Sequence, residues 1–187
     1  MAVPNLLWTG LNNMNAMLHV ANMVANVGRL ESAGNAYRFY ADGYTPSIVS
    51  LLEAADAERL ALARAYGVSV PSVLAWLTQT YGFREPTLGA MFHRLTHDPS
   101  GPYQWTPTPR SMEHKYVHED VPCGLVPMTA LARAAAVRLP VIEGLVAIAS
   151  ALCHRDFSAE GRTLEQLGFA GKTVQDILRI AERGFPD

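Results

Sequence analysis

A histidine near the start of the chain is framed by amides. In NNMNAMLHVANMVAN, residues 12 to 26, Asn12, Asn15, His19, Asn22 and Asn26 stand three, four, three and four positions apart. On a helix that spacing brings them to one face over about four turns, with the imidazole in the middle. An imidazole gives and takes protons near neutral pH, and amides around it can hold a polar ligand. A solvated helix face is ordinarily built from Lys, Glu and Arg, which form helices better than Asn does. No charged residue occurs from Leu6 to Val27. The stripe reads as the wall of a polar pocket or a buried hydrogen-bonded interface, with a plain solvated face as the alternative.

A second group lies in HKYVHEDVPCGLVP, His114 to Pro127. Glu119 and Asp120 stand just before Pro122, where an N-cap and a first-turn acid for a following helix would be, and that is the commoner use of such a pair. The same placement would hold an aspartate rigidly enough to orient an imidazole. His93 with His97, and His114 with His118, repeat at i, i+4, a spacing that can bind a metal. No HExxH pattern accompanies them and no third ligand stands out, so no metal site is expected. The chain has no GxSxG, no phosphate-binding loop and no GxG, so it offers no recognisable seat for a nucleotide cofactor.

The elements that must carry these residues are helical almost throughout. Leu7, Leu11, Met14, Leu18, Ala21 and Ala25 recur at helical spacing, which predicts one helix from Leu7 to about Gly28. Thr45 and Pro46 open a second, closed by Gly67, with Ile48, Leu51, Leu52, Ala55 and Leu62 on its inner face. VPSVLAWLTQTYG repeats that grammar, with Ser69 or Val70 before Pro71 and Gly82 after. PTLGAMFHRLTHD adds another helix. DPSGPYQWTPTPR, with four prolines, must be a structured loop in which Tyr103 and Trp105 seek packing partners. Helices follow from about Pro122, from Pro140, and in KTVQDILRIAERG, where Thr173 and Asp176 make a capping-box pair. No strand of useful alternation appears. The fold class expected is all-α, with seven or eight helices in a single domain over residues 1–187.

The 187 residues are 49% hydrophobic and 17% charged, enough apolar material for one buried core. A formal charge of −2 argues against nucleic acid or anionic membrane as partners. The most apolar stretch, LPVIEGLVAIASALC, contains Glu143 and is shorter than the ~20 residues that span a bilayer. The N-terminus lacks the features of an export signal, and Cys123 and Cys153 form no framework. Reduced cysteines and a cytoplasmic location are expected.

HKYVHEDVPCGLVPMTALARAAAV resembles the signature of the opine dehydrogenases of the octopine/nopaline type, whose α-helical C-terminal domain carries R-Y-x-x-E-D-V-P-x-G-L-V-P. NNMNAMLH is similar to that domain's first helix with its catalytic histidine. FYADGYTPSIVSLLEAADAERLALARAYG and GRTLEQLG resemble further segments in the same order. The resemblance implies a compact multi-helix domain, like that of opine dehydrogenases and 6-phosphogluconate dehydrogenase-like proteins. It also implies a reaction: an amino acid and a 2-oxo acid condense to an imine, which a hydride from NAD(P)H reduces. On this resemblance His19 is the general acid/base and Asp120 the aspartate that orients it. Asn12, Asn15 and Asn22 become pocket liners from their helix face. Lys115, Tyr116 and Glu119 of the signature become substrate contacts, Lys115 replacing the family's usual Arg with a point charge.

Two departures bear on function. Val20 follows His19 where relatives often have proline, which should let the helix run straight through. The family's Rossmann domain should precede this segment, and the chain begins with a methionine about where the helical domain begins, so that domain is expected to be absent. The chain alone would then bind no cofactor, and NAD(P)H would arrive with a separate Rossmann partner. The alternatives are a cofactor-free enzyme using the His19/Asp120 pocket for isomerisation, cyclisation or imine hydrolysis, and a non-catalytic binding module. An uncovered cleft face also predicts a homodimer.

Overall fold

The structure, a computed structural model, describes residues 5–33 and 36–185. Its elements are α1 (Leu6–Leu11), α2 (Met14–Ala25), α3 (Val27–Ala33), α4 (Pro46–Ala65), α5 (Val73–Tyr81), α6 (Leu88–His97), α7 (Lys115–His118), a π-helical turn (Val121–Leu125), α8 (Val126–Ala134), α9 (Pro140–Cys153), α10 (Phe157–Glu160) and α11 (Val174–Arg183). Among the described residues the extended structure amounts to one isolated antiparallel bridge between Arg38 and Pro107. The class is all-α, as the periodicity implied.

The helices outnumber the expected seven or eight because several runs are broken. The segment predicted as one helix from Leu7 to Gly28 is three, and asparagines make both breaks. Asn13 leaves the helical region and its side chain accepts from the Ala16 amide, capping α2. Asn26 ends α2, and its amide donates back to the Asn22 carbonyl. Asn side chains compete for backbone hydrogen bonds in this way, which is why they favour helix ends. Between the breaks α2 runs through Val20 without interruption.

Helix α2 is the axis of the core. Met17, Leu18, Val20, Ala21 and Met23 are all but inaccessible, and α4, α7, α9 and the π-helical turn pack around it. Each such large side chain contributes roughly 1.5–3 kcal/mol by leaving water. The break after α1 also frees the Leu11 carbonyl, which the fully buried Arg59 fills at 2.6 Å. Arg59 also donates to the Pro71 carbonyl and to Asp56, whose other oxygen accepts from the Val73 amide at 2.8 Å. One buried ion pair on α4 thereby fixes the end of α1 and the start of α5.

The expected cap of α5 moves: Ser72, after Pro71, accepts from the Ala75 amide, in place of Ser69 or Val70. Gly67 and Gly82 adopt the positive φ expected after helix ends, +64° and +77°. Thr45 stands before Pro46 as predicted but its hydroxyl makes no cap bond. Thr173 and Asp176 form the reciprocal capping box. The start of α9 is satisfied from outside, by the Glu58 carboxylate of α4 on the Val141 and Ile142 amides.

The run from α7 to α8 contains Pro122 and Pro127, and its wide turn follows from them. The Val126 amide reaches the Val121 carbonyl, five residues back. The next bond of that kind would come from Pro127, which has no N–H. The orphaned Pro122 carbonyl instead accepts from the Arg162 amide at 2.9 Å, so the turn is locked by the residue after Gly161. A Cβ on Gly161 would lie 2.7 Å from Val126 Cβ, and one on Gly124 would lie 2.5 Å from Ala16 Cβ. Both glycines permit close seating of the turn, Gly124 directly against α2.

Candidate active site

His19, in the middle of α2, and Asp120, at the entrance to the π-helical turn, meet across the core. Asp120 Oδ2 lies 2.7 Å from His19 Nδ1. A carboxylate only accepts, so Nδ1 carries the proton and donates. In the neutral ring the lone pair is then on Nε2, 3.1 Å from the Tyr40 hydroxyl, which donates to it. The Tyr116 ring stacks on the imidazole with centroids 3.6 Å apart and planes 19° apart, and Phe39 meets it edge-on at 6.1 Å. The side chains of His19 and Asp120 are 9% and 14% exposed, so their interaction is little screened by water.

Asp120 does not act as the cap that its position before a proline helix suggested. Its side chain makes no cap hydrogen bond and its backbone is already helical. The first turn of α7 just upstream is capped instead by His114, whose Nδ1 accepts from the Tyr116 amide at 3.3 Å. Burial, with Lys115 and His19 nearby, pushes the His114 imidazole below its ordinary value and keeps it able to accept.

The other residues singled out in the sequence fall in different places. Asn15 is exposed one turn before His19 on the same helix face. Asn12 is half-buried, and its Oδ1 is buried without a hydrogen-bond partner among the described residues. Asn22 is not free to line a pocket: it is fully buried, its Nδ2 donates to the Phe39 carbonyl at 2.8 Å and its Oδ1 accepts from Asn26 at 2.6 Å. It holds the segment that presents Tyr40. Tyr116 covers the His19 ring, while Lys115 and Glu119 are exposed on the same short stretch.

Tyr40 is the site residue that the spacing did not reveal. It belongs to an aromatic column, stacked on Tyr103 at 4.1 Å and parallel to Tyr44 at 5.9 Å. Tyr103 is fixed by its hydroxyl bond to Tyr81 at 2.7 Å, so it finds the packing partner expected of it. Trp105 does not: it is 78% exposed, with only the Arg38 guanidinium over its ring, because Thr106 and Thr108 bind back to residues 37–39 and turn it outward. Burial, reinforced by Tyr116, Tyr81 and Asp120, pushes the Tyr40 phenol far above its ordinary value. It therefore keeps its proton and is able to donate. A cleft of about 550 Å³ between α4 and α6 shares Tyr40 and is lined by Tyr44, Glu53, Phe92, His93 and His97.

Among the described residues neither histidine pair gathers a third ligand around both its members. His93 and His97 stack on each other, exposed, with centroids 4.4 Å apart. His118 does come together with Glu113 and Cys153, with ligand atoms within 4.8 Å of one another. Arg155 donates to His118 Nδ1 at 2.7 Å, however, so Nε2 keeps the proton, 3.1 Å from a Glu113 oxygen though not aligned for a hydrogen bond. Burial raises the Cys153 thiol and favours its protonated form. An Arg–His–Glu ion chain describes the cluster better than a metal site.

The architecture is thus a helical domain gathered around a histidine–aspartate hydrogen bond. Residues 2–153 match the family model described as NAD/NADP octopine/nopaline dehydrogenase, alpha-helical domain. The chain belongs to that family. It is 39% identical over 181 residues to an opine dehydrogenase of Arthrobacter sp. (strain 1C), covering 97% of this chain and 49% of that protein. It is 27% identical over 168 residues to protein ocs of Agrobacterium tumefaciens (strain Ach5), covering 90% and 46%. The chain therefore spans about half the length of the curated relatives it matches. Octopine dehydrogenase solved with NADH and pyruvate has the same fold, with a TM-score of 0.70 at 19% identity over 94% of this chain and 48% of that one. Its complex with NADH and L-arginine gives 0.68 at 20% identity over 88% and 47%.

Proposed function

We propose that this chain is the substrate-binding and acid/base half of an opine dehydrogenase, which condenses an amino acid with a 2-oxo acid and reduces the resulting imine. The observation that carries the reading is the buried hydrogen bond between Asp120 and His19 Nδ1, in a chain of that family. Asp120 fixes the ring and stabilises the imidazolium that forms when His19 takes a proton. His19 takes a proton from the attacking amine and returns one as the carbinolamine loses water. Lys115, exposed beside Tyr116, supplies a positive charge for a substrate carboxylate, with Asn12, Asn15 and Glu119 as further polar contacts. A dinucleotide's pyrophosphate is ordinarily cradled by a glycine-rich turn between a strand and a helix. NAD(P)H, which supplies the hydride, is held by a separate dinucleotide-binding partner.

The test combines the purified chain with the dinucleotide-binding domain of the Arthrobacter relative and follows NAD(P)H oxidation across amino acid and 2-oxo acid pairs. Oxidation that requires both halves and both substrates is expected. Turnover by the chain alone without nicotinamide would overturn the reading in favour of a cofactor-free enzyme. Substrate binding without turnover in any combination would favour a binding module.

The same reading includes a homodimer through α9. Ala147, Ile148, Ala151 and Leu152 form an exposed apolar face, with Ile148 50% exposed, and Glu143 and Arg155 lie toward its opposite ends. A second copy related by a two-fold axis covers that apolar face with its own. Gel filtration at micromolar concentration should give the dimer mass, and a monomer would contradict it. Two unpaired cysteines support a cytoplasmic location, and no helix of the described residues is long and apolar enough to cross a membrane.

A further inference from the structure

His19 is held at both ring nitrogens and over one ring face. Asp120 takes Nδ1, Tyr116 covers a ring face, and the hydroxyl of Tyr40 occupies Nε2, the nitrogen left with the lone pair. Tyr40 is held there by more than that bond. Its ring is stacked on Tyr103, parallel to Tyr44 and edge-on to Phe39 at 4.9 Å. The neighbouring backbone is pinned twice at Phe39, by Asn22 on its carbonyl and by the Thr106 carbonyl on its amide at 3.1 Å. The column fixes the ring but leaves the hydroxyl proton free to turn, so Nε2 can still take a proton from a substrate group that approaches beside the Tyr40 oxygen.

We propose that Tyr40 is a positioning residue for His19: its fixed hydroxyl donates to Nε2, keeps the lone pair on that nitrogen and, with Asp120 on the other, leaves the imidazole a single orientation. A phenylalanine would fill the same stack, so the oxygen must be there for another purpose, and among the described residues its partner is Nε2. A buried hydroxyl that lost this acceptor would go unsatisfied. The contact can run both ways: the hydroxyl donates to Nε2 while His19 is the neutral Nδ1–H tautomer, the form that acts as a base, and its oxygen accepts from Nε2–H once that nitrogen has taken a proton. The inference rests on the reading of His19 as the acid/base of the proposed reaction.

The test reads Nε2 directly on the full chain, without needing activity. Diethyl pyrocarbonate acylates an unprotonated imidazole nitrogen, and peptide mapping reports His19 separately from the other histidines. In Tyr40→Phe the modification rate of His19 should rise ~2–10-fold, the change that loss of one neutral hydrogen bond gives, with the other histidines unaltered. An unchanged rate at His19 would overturn the proposal. If every histidine speeds up together, the variant has lost its fold and nitrogen-15 spectra of the unaltered protein decide. A neutral His19 with a bare, hydrogen-bonded Nε2 supports the proposal, and a protonated Nε2 overturns it. Where the assembled enzyme is active, Tyr40→Phe should lower kcat while KM holds, opposite in sign to the gain in modification. Failure to find any active assembly would count against the proposed function and leave these measurements on Nε2 standing.

Discussion

Asp120 and His19 stand 101 residues apart in the chain, and the carboxylate oxygen of one lies 2.7 Å from Nδ1 of the other. What brings them together is a proline-shaped turn seated on α2. Pro127 denies the turn its next hydrogen bond, Arg162 supplies the replacement, and Gly124 lets the backbone approach Ala16. The geometry of the pair therefore depends on residues that touch neither member.

Gly124→Ala should uncouple the pair. The added methyl would sit 2.5 Å from Ala16 Cβ, and relieving it means moving the turn that begins one residue after Asp120. A loss of about 1–3 kcal/mol in stability is expected, as for other overpacked cores. Activity should fall further than that loss explains. Urea unfolding checks the first, and comparison with Gly144→Ala, where nothing lies within 4 Å, checks the second.

Stability should decline on mild acidification, through His114. Its folded value is lowered by burial and by Lys115 and His19, while Asp120 and Glu119 oppose the shift. The folded protein therefore binds fewer protons than the unfolded chain near the ordinary histidine value. The stabilisation is complete above the unfolded value of 6.5 and is lost as pH falls through the lower folded value. Protonation also removes the lone pair that caps α7. Urea midpoints should drop between neutral pH and pH ~5, and His114→Asn, which caps without titrating, should flatten that dependence.

Arg59→Met should be the most damaging change away from the site. Arg59 is wholly buried and serves Asp56 and the carbonyls of Leu11 and Pro71. Removing one partner of a buried pair costs about 3–5 kcal/mol, because the other charge is left uncompensated. A shift below ~1 kcal/mol in urea unfolding would show that water replaces the guanidinium.

Much of the arrangement was legible in the sequence, and the parts that were not share a cause. Helical periodicity located α2 and put His19 in the middle of its amide face, because spacing on one helix is a local property. Asn26 of that face, and Asn13 beside it in sequence, broke the helix, since an amide able to bind a ligand can equally bind the backbone beside it. Asn22 looked like a pocket liner and is a buried strut, because its partner, the Phe39 carbonyl, belongs to a segment whose return to α2 has no local signature. Tyr40 was missed for the same reason, lying in a stretch that reads as the approach to Thr45 and Pro46. Its one available clue was the buried amide that holds its neighbour. Asp120 looked like a cap, the commoner role before a proline, and only the seating of the turn on α2 gives it the imidazole instead.

The central claim is that His19 and Asp120 act as one acid/base unit, and a double-mutant cycle tests it most directly. kcat would be measured for His19→Gln, Asp120→Asn and the double variant in the assembled enzyme. Groups that act as a unit are strongly non-additive, so each single change should cost ~10²–10⁴-fold and the double variant should be little worse than His19→Gln alone. Losses that multiply, or a His19→Gln enzyme with an unaltered rate and an intact fold, would contradict the account.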